Sequence, residues 1–451
     1  MGARTAQRAG GLRVKVGPAR RAAYDVLHEV GARGAYANLA LSSRLSGDSM
    51  SRADRGLATD LVYTTLRRQR TLDAVLTTGI TRPLADVDPR VLDVLRLALT
   101  EHMYLGKPAH AVVDNAVGLT QSVGAASAKG FVNAVLRRLT AQSTDDLMAL
   151  ATDGLRGDAL LEVRYSHPQW IIRAFRDVLG EQELVGLLER DNDAPRVTLA
   201  ARPERISREE LPGEPTPWSP WGVYVDRTDP GSLEAVRDGR AGVQDLGSQL
   251  IALAFSRAEV SGTDDAWLDM CAGPGGKAAL LADLLPSGAQ LVAVEQHPHR
   301  AELVESAMRG TPGDVRVEVG DAAAVEGSYS RILLDAPCAG LGVLRRRPEA
   351  RWRRQPSDIP TLTGLQRRLL EHALDVCRPG GVVAYVTCSP HLAETEFVVS
   401  DVLRGRSDVV QESAAPLLPE VPDCADGPSI RLWPQRHDTD GMYLALLRKT
   451  G

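Results

Sequence analysis

The sequence predicts a chain of two main parts, an all-helical bundle followed by an α/β domain built on a mainly parallel sheet. Three observations carry that prediction. At 451 residues the chain is longer than one hydrophobic core serves, so two or three domains follow. From Ala19 to about Ala141 apolar residues recur at three- and four-residue spacing, with no strand-like alternation. From Val243 onward short apolar runs alternate with helical segments, the pattern of a parallel sheet covered on both faces.

Taken in order, residues 1–18 read as a disordered basic tail rich in Arg, Gly and Ala. Residues 19–145 read as a bundle of several helices, divided by breaks at Gly31 to Gly34, Gly79 to Pro89 and Gly106 to Pro108. Residues 146–240 change character: a helical piece from Trp170 to Phe175 precedes a turn-rich run holding Pro203, Pro212, Pro215, Pro217 and Pro220, so this stretch reads as a connecting subdomain. In the last part, 241–451, strands are expected at Trp267 to Cys271, Leu291 to Glu295, Val315 to Val319, Arg331 to Asp335, Val382 to Thr387 and Met442 to Leu447. Ligands of such a sheet bind at the carboxyl ends of its strands.

Composition narrows the function. Hydrophobic residues at 43% and charged residues at 25% exclude a mostly disordered chain and a membrane protein. A net charge of -5 confines any nucleic-acid site to a local basic patch. Lysine stands only at Lys15, Lys107, Lys129, Lys277 and Lys449. The arginine bias runs the length of the chain, as a G+C-rich genome produces, so clusters carry more information than the total. Five cysteines with no CxxC or other metal-ligand spacing point to a reducing compartment and no metal site. The first twenty residues lack an apolar stretch of secretory length and no segment approaches 18 apolar residues, so a cytoplasmic protein is expected.

The run Cys271-Ala272-Gly273-Pro274-Gly275-Gly276-Lys277 follows an expected strand and opens a helix, a place where glycines let backbone approach a ligand. Nineteen residues beyond Gly276, Glu295 ends the next strand, where a carboxylate can bind both hydroxyls of a ribose. The loop is neither GxGxxG nor a P-loop, so S-adenosylmethionine fits it better than a dinucleotide or a triphosphate. Asp321, after the third strand, stands where the adenine amino group of such a cofactor would lie.

Two cysteines end neighbouring strands: Cys338 in Asp335-Ala336-Pro337-Cys338, and Cys388 in Thr387-Cys388-Ser389-Pro390. In a parallel sheet both face one crevice beside the cofactor. That placement suits methylation of cytosine at carbon 5, which is too electron-poor to take a methyl group until a thiolate adds to carbon 6. One thiol is then the nucleophile and the other assists release, and spacing alone does not assign the roles. Asp335 is placed to hydrogen-bond the ring nitrogen or amino group of the cytosine, or to touch the cofactor. Between the cysteines Arg345, Arg346, Arg347, Arg351, Arg353 and Arg354 surround Trp352, an expected RNA contact by phosphate forks and base stacking. Further basic residues recur on the helical bundle at Arg67, Arg68, Arg70, Lys129, Arg137 and Arg138.

These motifs resemble those of the NusB-domain 16S ribosomal RNA cytosine-C5 methyltransferases, the RsmB (Sun/Fmu) family. Val243-Gln244-Asp245 with Ser248-Gln249, the Cys271 to Lys277 loop, Asp335 to Cys338, Gly340-Leu341-Gly342-Val343 and Thr387-Cys388-Ser389 fall in the family's order. The resemblance implies a NusB-like RNA-binding domain at 19–145 and a Rossmann-like class I S-adenosylmethionine-dependent domain at 241–451. It implies Cys388 as nucleophile, Cys338 as the thiol that helps release product, and the 271–277 loop, Glu295, Asp321 and Asp335 as the cofactor pocket. The substrate it implies is small-subunit ribosomal RNA. Glu295 stands where the family usually has Asp, Leu199-Ala200-Ala201-Arg202 lacks the usual Arg and Asn after the leucine, and Pro390 is a less usual neighbour of the thiol. A transfer RNA substrate, or a non-enzymatic NusB-like RNA-binding factor, are the competing readings; intact Cys388, Cys338 and Glu295 argue against the second.

Overall fold

The computed structural model describes residues 16–46, 50–226 and 229–451. The tail expected over 1–18 lies outside the described residues except for its last three, and Pro18 already opens a helix. The chain divides into two units, Met1–Ile172 with Arg347–Glu349, and Arg173–Arg346 with Ala350–Gly451.

The first unit is helical. Its helices are Pro18–Arg33, Ala37–Leu45, Arg52–Arg67, Gln69–Gly79, Pro89–Met103, Ala109–Ser122, Lys129–Leu139, Thr144–Thr152 and Gly157–Tyr165. Local chemistry sets several of the ends: Ser51, Asp88 and Ser143 each accept a backbone N–H of the first turn, and Pro occupies the first turn of the helices that open at Pro18 and Pro89. The apolar stripes converge on one core in which Leu61, Leu72, Leu76 and Leu95 are completely buried, each worth about 1.5–3 kcal/mol of transfer free energy. The first part of the expected connecting subdomain belongs to this unit. Leu147 and Val163 bury their side chains, the Thr71 hydroxyl donates to the Val163 carbonyl at 2.6 Å, and Ser166 Oγ accepts the Arg70 N–H at 2.9 Å.

The remainder of that stretch belongs to the second unit, where it forms a small antiparallel sheet rather than a turn-rich connection. Strands β1 (Val197–Ala201), β2 (Glu214–Pro215), β3 (Gly222–Val225) and β4 (Ala241–Val243) pair in the order β2-β3-β1-β4 around a core of Leu199, Val223 and Val225. The large sheet follows with β5 (Ala266–Asp269), β6 (Gln290–Glu295), β7 (Asp314–Val319), β8 (Tyr329–Asp335), β9 (Cys377–Thr387), β10 (Val409–Glu412), β11 (Ala425–Asp426), β12 (Ser429–Leu432) and β13 (Met442–Lys449). Its order is β11-β12-β13-β9-β8-β5-β6-β7, with β10 also on β13. Strands β5 to β9 are mutually parallel, whereas β13 runs antiparallel to β9 and carries β10 and β12 antiparallel on its other edge.

Helices cover both faces. Leu246–Arg257, Gly276–Asp283 and Pro298–Ala307 contribute to the core on one face; Asp358–Val376 and Glu396–Arg404 close the other. The chain winds outward from β5 through β6 and β7, then returns to place β8 on the other side of β5. The order therefore reverses between β5 and β8, and a crevice opens at the carboxyl ends of these strands. No described helix is long and apolar enough to cross a membrane.

Candidate active site

The 271–277 loop leaves the carboxyl end of β5. The Ala272 N–H donates to the Val294 carbonyl at 2.9 Å, so the turn is held against β6. At Gly273 a Cβ would stand 2.1 Å from Glu295 Oε2, so only glycine lets the loop backbone come this close to the carboxylate. Glu295 is buried at the end of β6; its Oε1 accepts the His297 N–H at 3.0 Å and its Oε2 lies 3.4 Å from Arg300 Nη1. Arg300 also donates to the Gly273 carbonyl at 2.6 Å, tying strand end to loop. Asp321 is exposed and caps a short turn by accepting the Ala323 N–H.

Around this loop lies a cluster of charges. Lys277 Nζ stands 2.8 Å from Asp335 Oδ2 at the end of β8. Burial opposes the Lys277 charge, but Asp335, Cys388 and Asp269 outweigh it and hold the ammonium above its ordinary pKa. Asp269 at the end of β5 is fully buried, and burial first, then the nearby charge of Asp335, push its pKa up to about 7. A carboxyl whose folded value is raised above the unfolded one, about 3.9, contributes stability that is complete below that lower value and lost as pH rises through the upper. Wild-type protein should thus lose more stability between pH 5 and pH 8 than Asp269→Asn does, as denaturant unfolding at the two values will measure.

The thiols meet next to this cluster. Cys338 follows β8, Cys388 follows β9, both are half-buried, and their sulfurs are 3.4 Å apart. The loops are fixed by backbone bonds: the Ala336 N–H donates to the Val386 carbonyl at 2.8 Å, and the Gly342 N–H donates to the Cys388 carbonyl at 2.8 Å. A Cβ on Gly342 would lie 2.1 Å from the Gly441 carbonyl oxygen and 2.9 Å from that of Cys388. Both are backbone atoms, so Gly342→Ala should destabilise the protein by about 1–3 kcal/mol, read from denaturant unfolding. The Cys338 pKa is raised by its hydrogen bond with Cys388, by burial and by the negative charges of Glu394 and Asp335. Cys271 opens the 271–277 loop, and its thiol is pushed far up by burial, which disfavours the reactive thiolate.

The basic run is placed differently from its expected role. Arg345 and Arg351 are fully buried and Arg346 is largely enclosed, so none of the three is a surface fork for phosphates. Arg345 donates to Asp438 at 2.8 Å, Arg351 to Asn192 Oδ1 at 2.8 Å and to the Asp191 carbonyl at 2.6 Å, and Arg346 to both Asp440 oxygens and to Asp245. Acidic partners far away in sequence draw these side chains inward, and local spacing does not reveal them. Arg347 is exposed, and Trp352, Arg353 and Arg354 are half-buried. On the helical unit Arg67 is buried with its guanidinium 5.4 Å from the Tyr63 ring, and Arg70 pairs with Glu162; Arg137 and Arg138 are exposed.

Four residues at the site carried no expected role. Glu394, Ser389 and Gln366 are fully buried, and Ser389 and Gln366 both donate to the Glu394 carboxylate. Gln244, quoted above only as part of a motif, is buried against the glycine loop, its Oε1 without a hydrogen-bond partner and its Cδ 3.5 Å from where a Cβ of Gly276 would lie.

A doubly wound sheet with a glycine loop at its switch point, joined in one chain to a compact helical domain, defines a Rossmann-like methyltransferase with a NusB-like partner domain. Residues 260–448 match the model of the 16S rRNA methyltransferase RsmB/F family, and residues 17–141 match that of the NusB family. The chain is 44% identical to Rv1407 of Mycobacterium tuberculosis, a protein named as a methyltransferase, over 98% of both chains. It is 31% identical to ribosomal RNA small subunit methyltransferase B of Xanthomonas campestris, covering 95% of this chain and 97% of the relative. The chain belongs to this RsmB/F family of RNA methyltransferases. Among solved structures, PH0851 shares the fold with a TM-score of 0.78 at 21% identity, over 97% of this chain and all of its own. NSun6 from Pyrococcus horikoshii, solved with SFG, aligns with a TM-score of 0.54 at 20% identity, over 63% of this chain and 98% of its own.

Proposed function

We propose that this methyltransferase forms 5-methylcytosine in 16S ribosomal RNA from S-adenosylmethionine, through a covalent bond between Cys388 and carbon 6 of the cytosine. The observation that carries the proposal is the pair of sulfurs, 3.4 Å apart, at the carboxyl ends of two neighbouring parallel strands and beside the Lys277–Asp335 pair.

The cofactor pocket fits an adenosyl group on two counts. Glycine at 273 keeps open a close approach between loop and Glu295, and Gln244, whose side chain packs against Gly276 of the same loop, holds a buried Oε1 with no hydrogen-bond partner among the described residues. Glu295 would take the ribose hydroxyls, the 271–277 backbone the amino-acid end, and Asp321 the adenine amino group. When bound, the cofactor supplies an electrophilic methyl group.

The residues of this chain do the remainder. Cys388, its thiol proton given up to solvent, adds as the thiolate to carbon 6, its electron pair forming the C–S bond while the ring's double-bond electrons move to make carbon 5 nucleophilic. Asp335 accepts a hydrogen bond from the cytosine amino group, and the Lys277 ammonium stabilises charge that develops on the ring and on the departing sulfur. Once carbon 5 carries the methyl group, its proton leaves to a base. The pair of electrons left behind restores the double bond and expels the Cys388 thiolate, with Cys338 assisting the release.

The name and sequence similarity of the Xanthomonas relative support small-subunit ribosomal RNA as substrate. Bisulfite sequencing of RNA from a strain lacking this protein tests it. The expected result is one methylcytosine missing from 16S rRNA and restored by the wild-type gene; a loss confined to transfer RNA would overturn the substrate, and no loss in any RNA would overturn the reaction.

A further inference from the structure

Glu394 is a carboxylate with no exposure to solvent, and the donors on its oxygens are neutral. Oε1 accepts the Ala339 N–H at 2.7 Å and Gln366 Nε2 at 3.1 Å, while Oε2 accepts the Ser389 hydroxyl at 2.6 Å. Its own carbonyl accepts the Tyr385 hydroxyl at 2.7 Å. Burying an anion without a cation at its oxygens is costly, and three charge-assisted hydrogen bonds only partly offset the lost hydration. A side chain kept at such a cost calls for a function beyond packing.

Its partners indicate which. Ala339 directly follows Cys338 and Ser389 directly follows Cys388, so one carboxylate joins the two thiol loops. Gln366 Nε2 donates also to the Pro337 carbonyl at 2.9 Å, so the residues on both sides of Cys338 are held by the same network. The Thr387 hydroxyl donates to the Ser389 carbonyl at 2.9 Å and anchors the far side of Cys388. The clamp thus ties both thiol loops to one buried carboxylate, and the charge of Glu394 is one of those that act on Cys338.

We infer that Glu394 is a positioning residue that clamps both thiol loops and makes the two thiols unequal. This inference rests on the proposed covalent reaction for its purpose, though not for its chemistry. One thiol must be free to ionise and attack; the other must stay neutral so that two sulfurs in contact do not compete for the same ring carbon. Repulsion by a buried anion adds to the Cys388 hydrogen bond and to burial, the larger causes of the raised Cys338 pKa, in holding the second as a thiol.

The test measures alkylation of each thiol by iodoacetamide across pH in the full-length protein without RNA, resolved by peptide mass spectrometry, in wild type, Glu394→Gln and Ser389→Ala. In wild type Cys338 should react more slowly than Cys388 at neutral pH. Glu394→Gln should lower the pH midpoint of Cys338 by about one unit, which raises its alkylation rate at pH 8 by about tenfold. Ser389→Ala keeps the charge and loosens one loop, so it should leave the Cys338 midpoint in place and slow adduct formation on RNA by about tenfold. A Glu394→Gln protein that melts like wild type and keeps the wild-type Cys338 midpoint overturns the inference. If that variant does not fold, Ser389→Ala decides, because wild-type adduct formation in it removes the clamp. A shifted Cys338 midpoint together with an active Cys388→Ala protein would instead uphold Glu394 and refute the proposed reaction.

Discussion

Cys388→Ala is expected to bring methyl transfer below detection, a loss of at least about 10^3-fold, or about 4 kcal/mol of barrier. The size follows from the chemistry. Without a sulfur adding to carbon 6, carbon 5 never becomes nucleophilic, and binding or orientation of the two substrates does not substitute for that electronic change. The substitution removes the sulfur contact with Cys338 but keeps the loop: Cys388 is half-buried, and the bond it accepts from Gly342 uses its main-chain carbonyl. The melting temperature should therefore stay near that of wild type while incorporation of labelled methyl into RNA disappears. Full activity in this variant would show that the nucleophile is elsewhere.

Cys338→Ala should fail at a later stage. The nucleophile is present, so the cytosine is attacked and methylated, but the neighbouring thiol that assists release is gone. A covalent protein–RNA species is expected to accumulate to about one per active site, visible as a slower band on denaturing gels and removed by nuclease. Turnover should fall by about 10^2-fold, the usual scale for losing one proton-transferring group. A variant that turns over normally and leaves no such band would restrict Cys338 to packing. The two phenotypes are opposite in kind: one loses the adduct and the other retains it.

Much of this architecture was legible because it depends on local pattern. The 3.6-residue periodicity of Val91 through Leu99 and the short apolar runs ending in Asp269, Glu295, Asp335 and Thr387 reflect burial on one helix face or both sheet faces, and burial writes itself into composition. The strands β1 to β4 were not legible. They are two to five residues long, Gly222–Val225 is buried throughout, and prolines punctuate the stretch, so no alternation has room to appear. The antiparallel edge made by β10, β11 and β12 on β13 was hidden for the same reason.

At the site, the residues that end strands were readable and those that hold them were not. Cys338 and Cys388 stand next to proline and serine at the ends of apolar runs, where a sheet presents ligands. Arg345 and Arg351 looked like a surface cluster because charge runs are usually solvated, yet their partners, Asp438 and Asn192, lie 93 and 159 residues away. Glu394 is similar: a glutamate six residues past a cysteine carries no mark of burial, and the Ala339 amide that binds it is 55 residues distant. Tertiary pairing, rather than propensity, decides where such charges go.

The proposed reaction forms a bond between the sulfur of Cys388 and a cytosine ring. It is tested most directly with RNA carrying 5-fluorocytidine, whose fluorine blocks the loss of the carbon-5 substituent and stalls the complex before release. After incubation with S-adenosylmethionine, nuclease and protease digestion followed by mass spectrometry should find a methylated fluorocytidine nucleotide on the peptide that contains Cys388. The same mass on the Cys338 peptide, or no modified peptide at all, would overturn Cys388 as the nucleophile.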